Sequence, residues 1–442
     1  MITRWKMNKI SADDAAGLIK SGQRIFVTGN CSTPQRFIEA LVRRAPAVEQ
    51  VEMVLLLDMG PSGYITPELS EHIRVNAMFI SKNVRQAVND GLADFTPVFL
   101  SEIPKLFRTG RVPLDVAVIH VSPPDQHGYC SYGVEVGVTK TAAESAGMII
   151  AEVNPNMPRT LGDSFIHVSQ IDYFIEVDYE LPEIKPEPAS AIQDRIAEHI
   201  AAIVPDAATL QMGIGGIPDA VLRRLTNHKN LGIHTELFSD GVMDMIEAGI
   251  ITNAAKSIHT GKVVAGFVLG SRRLFRYIND NPIFEFHPTE YVNDPFVIAR
   301  NDRMVSINSA LEVDLTGQVC ADSIGPKFFS GVGGQLDFVR GAARSKDGCT
   351  IIALPSTAKN DTISRIVPQL KPGAGVTTTR NDVHCIATEY GIADLWGRSI
   401  SERVRALVNI AHPDFRESLL AYAREQNYIG KVYALGGYSA GR

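Results

Sequence analysis

Short apolar runs of strand length recur along the chain, and most are followed by a stretch whose apolar residues return every three or four positions. In the first half the runs lie at 24–28, 51–57, 114–121 and 148–153, and in the second at 207–212, 232–235, 263–269, 350–354 and 385–388. The period predicts strands alternating with helices, which is the signature of mostly parallel sheets in an α/β fold. After the first run, Thr33 and Pro34 read as a cap and a first helical position, with Phe37, Leu41 and Val42 as the apolar stripe. Between the halves, residues 179–188 carry Pro182, Pro186 and Pro188 in a polar run that can continue neither element, so an extended linker is expected. From Ser190 onward, Ile192, Ile196, Ile200 and Ile203 predict an amphipathic helix opening the second half. The resulting organisation is two similar open α/β domains, 1–185 and 190–442. Their likeness suggests an old duplication, although no repeat is visible in the sequence.

Composition narrows the class. A chain of 442 residues exceeds one ordinary core and suits two domains. Hydrophobic content of 45% with 21% charged residues describes a soluble globular protein, and a net charge of −6 argues against nucleic acid or an anionic membrane as partner. No apolar run reaches the ~18 residues of a membrane helix, and the N-terminus lacks a signal-peptide core. Cys31, Cys130, Cys320, Cys349 and Cys385 are odd in number and free of CxxC spacing, which predicts reduced thiols in the cytoplasm. The histidines form no HxxxH or HxH pair, so no metal is expected.

The chemistry concentrates at 207–241. A short apolar strand is followed by Gly213-Ile214-Gly215-Gly216, then a helix opened by Pro218, then a second strand ending in Glu236. In a βαβ unit the strands are parallel and ligands bind beyond their carboxyl ends, so the glycine turn and Glu236 belong to one edge of one sheet. Bare backbone N–H groups beside a carboxylate suit the binding and attack of an acyl group. A dinucleotide site is the rival: Gly213 and Gly215, with an acid about 20 residues on, mimic its fingerprint. Pro218 stands where that fingerprint needs a small residue. The pattern alone leaves the two readings level.

The surrounding residues resemble the acetyl-CoA hydrolase/transferase family of class I coenzyme A transferases, closest to its 4-hydroxybutyrate CoA-transferase branch. The resemblance is carried by residues 122–131, 306–314, 331–338, 356–359 and 387–391 together with the 207–241 segment, in order, and runs from about Gly29 to about Pro413. It implies that Glu236 is a nucleophile passing through a mixed anhydride and a glutamyl-CoA thioester. The amides near Ile214 and Gly334 would form the oxyanion hole. In acyl-transfer enzymes such donors are worth about 2.7–4 kcal/mol apiece. By the same resemblance, Gly213, Ile214, Gly215, Gly216, Ile217, Leu311, Ser330, Gly331, Gly334 and Lys359 touch CoA, with Arg365 a weaker candidate. Asn293 and Glu389 are implied as active-site groups. Tyr129, Cys130, Ser131 and Tyr132 are expected to border the acyl pocket, although packing explains Cys130 and the tyrosines as well.

The implied substrates are a short-chain acyl-CoA of the 4-hydroxybutyryl, butyryl or acetyl class and a carboxylate such as acetate. CoA acts as substrate and no cofactor is permanently bound; a homodimer is implied. An acyl-CoA hydrolase is the near alternative, and a nicotinamide-dependent dehydrogenase or a non-catalytic CoA-binding protein the distant ones. Gly437, Ser439 and Gly441 fit the GxSxG pattern, but no helix remains to form the nucleophile elbow, so a serine hydrolase is set aside.

Overall fold

The computed structural model describes residues 8–60, 63–185, 188–213 and 215–430. Two sheets organise them. The first contains β1 (Arg24–Val27), β2 (Val51–Leu56), β3 (Ile73–Phe79), β4 (Asp94–Phe95), β5 (Leu114–Val121), β6 (Ala146–Val153) and β7 (Tyr173–Glu176). The second contains β8 (Thr209–Met212), β9 (Gly232–Phe238), β10 (Val263–Val268), β11 (Phe284–Phe286), β12 (Met304–Ser309), β13 (Cys349–Ala353), β14 (Cys385–Thr388) and β15 (Gly391–Asp394).

The spatial order is β4-β3-β2-β1-β5-β6-β7 in one sheet and β11-β10-β9-β8-β12-β13-β14-β15 in the other. Every pairing is parallel except β14 with β15. Both sheets therefore wind outward one way from their first strand and then reverse, between β1 and β5 and between β8 and β12. The shared winding order is the structural counterpart of the similarity between the two halves. Strands covered on both faces read as continuous apolar runs, as in β10, where all six residues are buried. Residues 177–185 and 188–190 join the halves without helix or strand.

Several expectations change. The helix after β1 is Gln35–Arg44, with Pro34, not Thr33, at its N-cap and no side-chain cap. Thr33 instead donates its hydroxyl to Asn30 O and Asp58 Oδ1. The helix after the glycine turn begins at Gly216, which places Pro218 within its first turn. The Ala191–Ala201 helix has the expected Ser190 cap, closed by Gln193, but Ile192 and Ile203 stay exposed while Ile196 and Ile200 enter the core. Strand β9 runs to Phe238, so Glu236 sits inside it and not at its end. Residues 437–441 lie outside the described residues. Among those described, no helix is long and apolar enough to cross a membrane, and all five cysteines are free.

Candidate active site

In open α/β sheets the crevice beyond the carboxyl ends of the strands, near the reversal of winding, is where ligands bind. Here the two sheets contribute such edges to one cavity of about 230 Å³. From the first sheet come Gly29 and Asn30 after β1, Leu56 and Leu57 around the end of β2, and Phe79 at the end of β3. From the second come Gly213 after β8, Glu236 and Leu237 on β9, and Phe267 on β10. Glu135 and Thr289 complete its polar wall, and Gly333 belongs to it as well.

Glu236 keeps partial exposure toward this cavity while protein encloses the rest of its side chain. Asn293 Nδ2 donates to its Oε2 at 3.0 Å, and the Gly334 backbone N–H also serves the carboxylate. Burial pushes the carboxyl up to about 7; the Asn293 bond pulls down and the nearby Asp337 pushes up. Asp337 is itself raised to about 7 by burial, and accepts from Ser101 N at 3.1 Å and Ser101 Oγ at 2.8 Å. A Cβ on Gly334 would collide with both the Glu236 carboxylate and the Asn293 amide. Glycine at 334 is thus a requirement of close approach.

Asn293 follows the short helix Thr289–Val292, which also presents Thr289 to the cavity. That helix is braced from behind. His234 Nε2 contacts Val292 O at 2.9 Å, and His259 bridges Tyr291 Oη at 2.6 Å to Glu285 at 2.5 Å. His259, Glu285 and His287 are where, among the described residues, a metal could be held, since their ligand atoms lie within 4.8 Å of one another. Their sequence spacing hides this grouping. The bonds of His259 to Glu285 and Tyr291 already give it a bracing role.

The other residues expected at the site divide by position. Gly213 lines the cavity, but Ile214 lies outside the described residues. Gly215, at φ 113°, caps the helix that follows. Gly216 packs on the Gln193 side chain and Ile217 is buried in the core. Gly331 packs on Phe79. Leu311 donates its N–H to Cys320 O, and Ser330 donates its own to Asp322 O.

Glu389 is buried at the end of β14 and accepts from Ser356 N at 2.9 Å and Ser356 Oγ at 2.6 Å. Four strand steps separate β14 from β9, roughly 19 Å at the usual spacing. The carboxylates that do bear on Glu236 are Asp337 and Glu135. Lys359 is exposed at the tip of a hairpin, where Lys359, Asn360 and Asp361 all take positive φ. Arg365 lies next to Glu389, with burial lowering its pKa.

One expectation is corrected. Tyr129, Cys130, Ser131 and Tyr132 do not line the cavity; residues 129–131 pair antiparallel with 165–167 in a separate two-stranded sheet. Tyr129 is exposed, Tyr132 is buried, and the Ser131 hydroxyl is tied to Thr160. The chain just beyond enters the site instead. Val136 and Gly137 donate to Gly266 O, which lays residues 134–137 of the first half along β10 of the second. Glu135, which the sequence reading missed, is delivered this way. A lone acid inside Val134-Glu135-Val136 was the available signal, because a charge in an apolar run is buried for a reason.

Comparison with known proteins agrees with this fold. The acetyl-CoA hydrolase/transferase N-terminal domain matches residues 2–184 and the corresponding C-terminal domain matches 270–423. A 4-hydroxybutyrate coenzyme A transferase of Clostridium kluyveri is 50% identical over 94% of this chain and 97% of its own. A succinyl-CoA:acetate/propanoyl-CoA:succinate CoA transferase of Fasciola hepatica is 47% identical over 94% and 87%. The crystal structure of a 4-hydroxybutyrate CoA-transferase from Porphyromonas gingivalis superposes with a TM-score of 0.82 at 43% identity, covering 95% of this chain and 98% of that one. The chain belongs to the acetyl-CoA hydrolase/transferase family.

Proposed function

We propose that this enzyme transfers CoA between a short-chain acyl-CoA and a free carboxylate such as acetate, with Glu236 as the covalent nucleophile. The observation that carries the reading is the Glu236 carboxylate in a cavity between two sheet edges, with a glycine amide donating to it. An ionised Glu236 oxygen attacks the thioester carbonyl; a C–O bond forms, the C–S bond breaks and CoA leaves as thiolate. The thiolate then attacks the glutamyl carbonyl, forming a glutamyl thioester and releasing the first acid as carboxylate. The second acid runs the sequence backwards.

Each tetrahedral step places charge on an oxygen, and the Gly334 amide is positioned to receive it. Asn293 orients the carboxylate between steps. The largely apolar walls, with Phe26, Leu56, Phe79 and Phe267 among them, exclude water and so favour transfer over hydrolysis. Lys359, Ser330 and Leu311 belong to the proposed CoA path, with Lys359 at the phosphate end, far along the second sheet from the thiol. The cytoplasmic location and homodimeric state implied by the family belong to the same proposal.

A thiol-release assay with and without acetate tests it. New acyl-CoA formed only when an acceptor acid is present supports transfer. Acid-independent release of CoA would mean hydrolysis.

A further inference from the structure

Glu135 is a buried acid set beside another acid. It lines the same cavity as Glu236, and the groups that bear on it are the Asn30 amide, the Val138 N–H and Glu236 itself. Two of these are neutral donors and the third adds negative charge. Burial is the largest effect on its carboxyl and pushes it up to about 8. A buried carboxylate is ordinarily matched by a cation, and none of these groups supplies one.

Two further oxygens stand close to it. Asn30 turns its Nδ2 to Glu135, which leaves Oδ1 as an acceptor, and Thr289 spends its backbone N–H on Gly137 O. Both side chains are buried and line the cavity, and neither Asn30 Oδ1 nor Thr289 Oγ1 has a hydrogen-bond partner among the described residues. Buried polar atoms of this kind in a native protein call for an explanation. A Cβ on Gly137 would stand 2.6 Å from Glu135 Oε1 and 3.5 Å from Thr289 Cγ2, so the two side chains converge on one part of the wall. Three kinds of oxygen acceptor thus gather at one end of the cavity: a carboxylate, an amide oxygen and a hydroxyl.

We infer that Glu135, Asn30 and Thr289 bind a primary ammonium on the acyl chain, so that the preferred acid is a short amino acid whose amine is remote from its carboxyl. The inference rests on the CoA-transfer reading and adds a substrate class to it. An ammonium carries three N–H donors and no acceptor, one donor for each of the three groups. A hydroxyl has one donor and leaves the carboxylate without a counter-ion; an alkyl chain leaves all three groups unpaired. The cation draws Glu135 into its ionised form, and the displaced proton goes to solvent. The ion pair also protects the reaction. An amine held as ammonium has no lone pair, so it cannot attack the activated carbonyl of its own chain and escape as a lactam.

The test follows the initial rate of acetyl-CoA consumption with 4-aminobutyrate, 4-hydroxybutyrate or butyrate as acceptor, compared as kcat/KM for the acid. The wild type should favour 4-aminobutyrate over butyrate by at least about a hundredfold and over 4-hydroxybutyrate by at least about tenfold, because a site built for N–H donors penalises their absence. Glu135→Gln, which keeps the shape and removes the charge, should lower the 4-aminobutyrate-to-butyrate ratio by at least about tenfold. Thr289→Val, which keeps Glu135 and removes one acceptor, should lower it by a smaller factor. A wild type that uses butyrate or 4-hydroxybutyrate as well as 4-aminobutyrate would overturn the inference while leaving CoA transfer intact, whatever the variants do. A ratio unchanged in folded Glu135→Gln would overturn it equally. Absence of transfer to every acid would instead overturn the proposed function.

Discussion

At the scale of single residues, the site depends on a carboxylate that burial keeps partly protonated near neutral pH. In the proposed mechanism Glu236 attacks only when ionised, and its carboxyl is pushed up to about 7, so the ionised form is lost below that pH and gained above it. For the acylation half-reaction, kcat/KM should rise with pH through about 7. A profile flat from pH 5.5 to 8.5 would contradict this. Gly334 is the second critical residue, because even a methyl group there would strike Glu236 and Asn293. Gly334→Ala should fold, as judged by circular dichroism, and lose at least about a hundredfold in kcat, the cost of one misplaced oxyanion donor.

At the scale of elements, the Thr289–Val292 helix holds Asn293 against the Glu236 carboxylate while His234 and His259 brace it. The Asn293 bond holds the Glu236 carboxyl down against burial, so Asn293→Ala should move the midpoint of the same pH profile upward. An unmoved midpoint would show that Asn293 does not govern ionisation. Strands covered on both faces were legible in the sequence as apolar runs, and β5 and β14 begin and end where the period places them. Strand β12 escaped because Ser306 and Asn308 interrupt its run, and β3 because Arg74 and Asn76 alternate with its buried positions. The Thr33–Pro34 boundary slipped by one because Thr33 bonds back to Asn30 and Asp58, a tertiary contact that no local propensity encodes.

At the scale of the whole molecule, the first half closes over the second through defined contacts. Leu100 N donates to Gly333 O, Ser101 bonds Asp337, Arg85 donates to Phe329 O, and residues 134–137 lie along β10. Glu236, Asn293 and Gly334 could be anticipated from their motifs, and the structure brings them together. Asn30 and Glu135 belong to the first half and reach Glu236 only when the halves meet, with the lone acid in an apolar run as the one signal for Glu135, while Asp337 comes from the second-half helix that follows Gly334 and no motif marks it. Lys359, distant from the reacting bond, offers one exposed cation. Lys359→Ala should raise KM for acyl-CoA more than it lowers kcat, and an unchanged KM would remove it from the CoA path. The most direct test of the central claim is mass spectrometry of the enzyme incubated with acyl-CoA alone. The account predicts CoA attached through a thioester to Glu236, within the peptide spanning 234–240, and no adduct in Glu236→Gln. CoA attached at Glu389, or a Glu236→Gln variant that still transfers CoA, would contradict it.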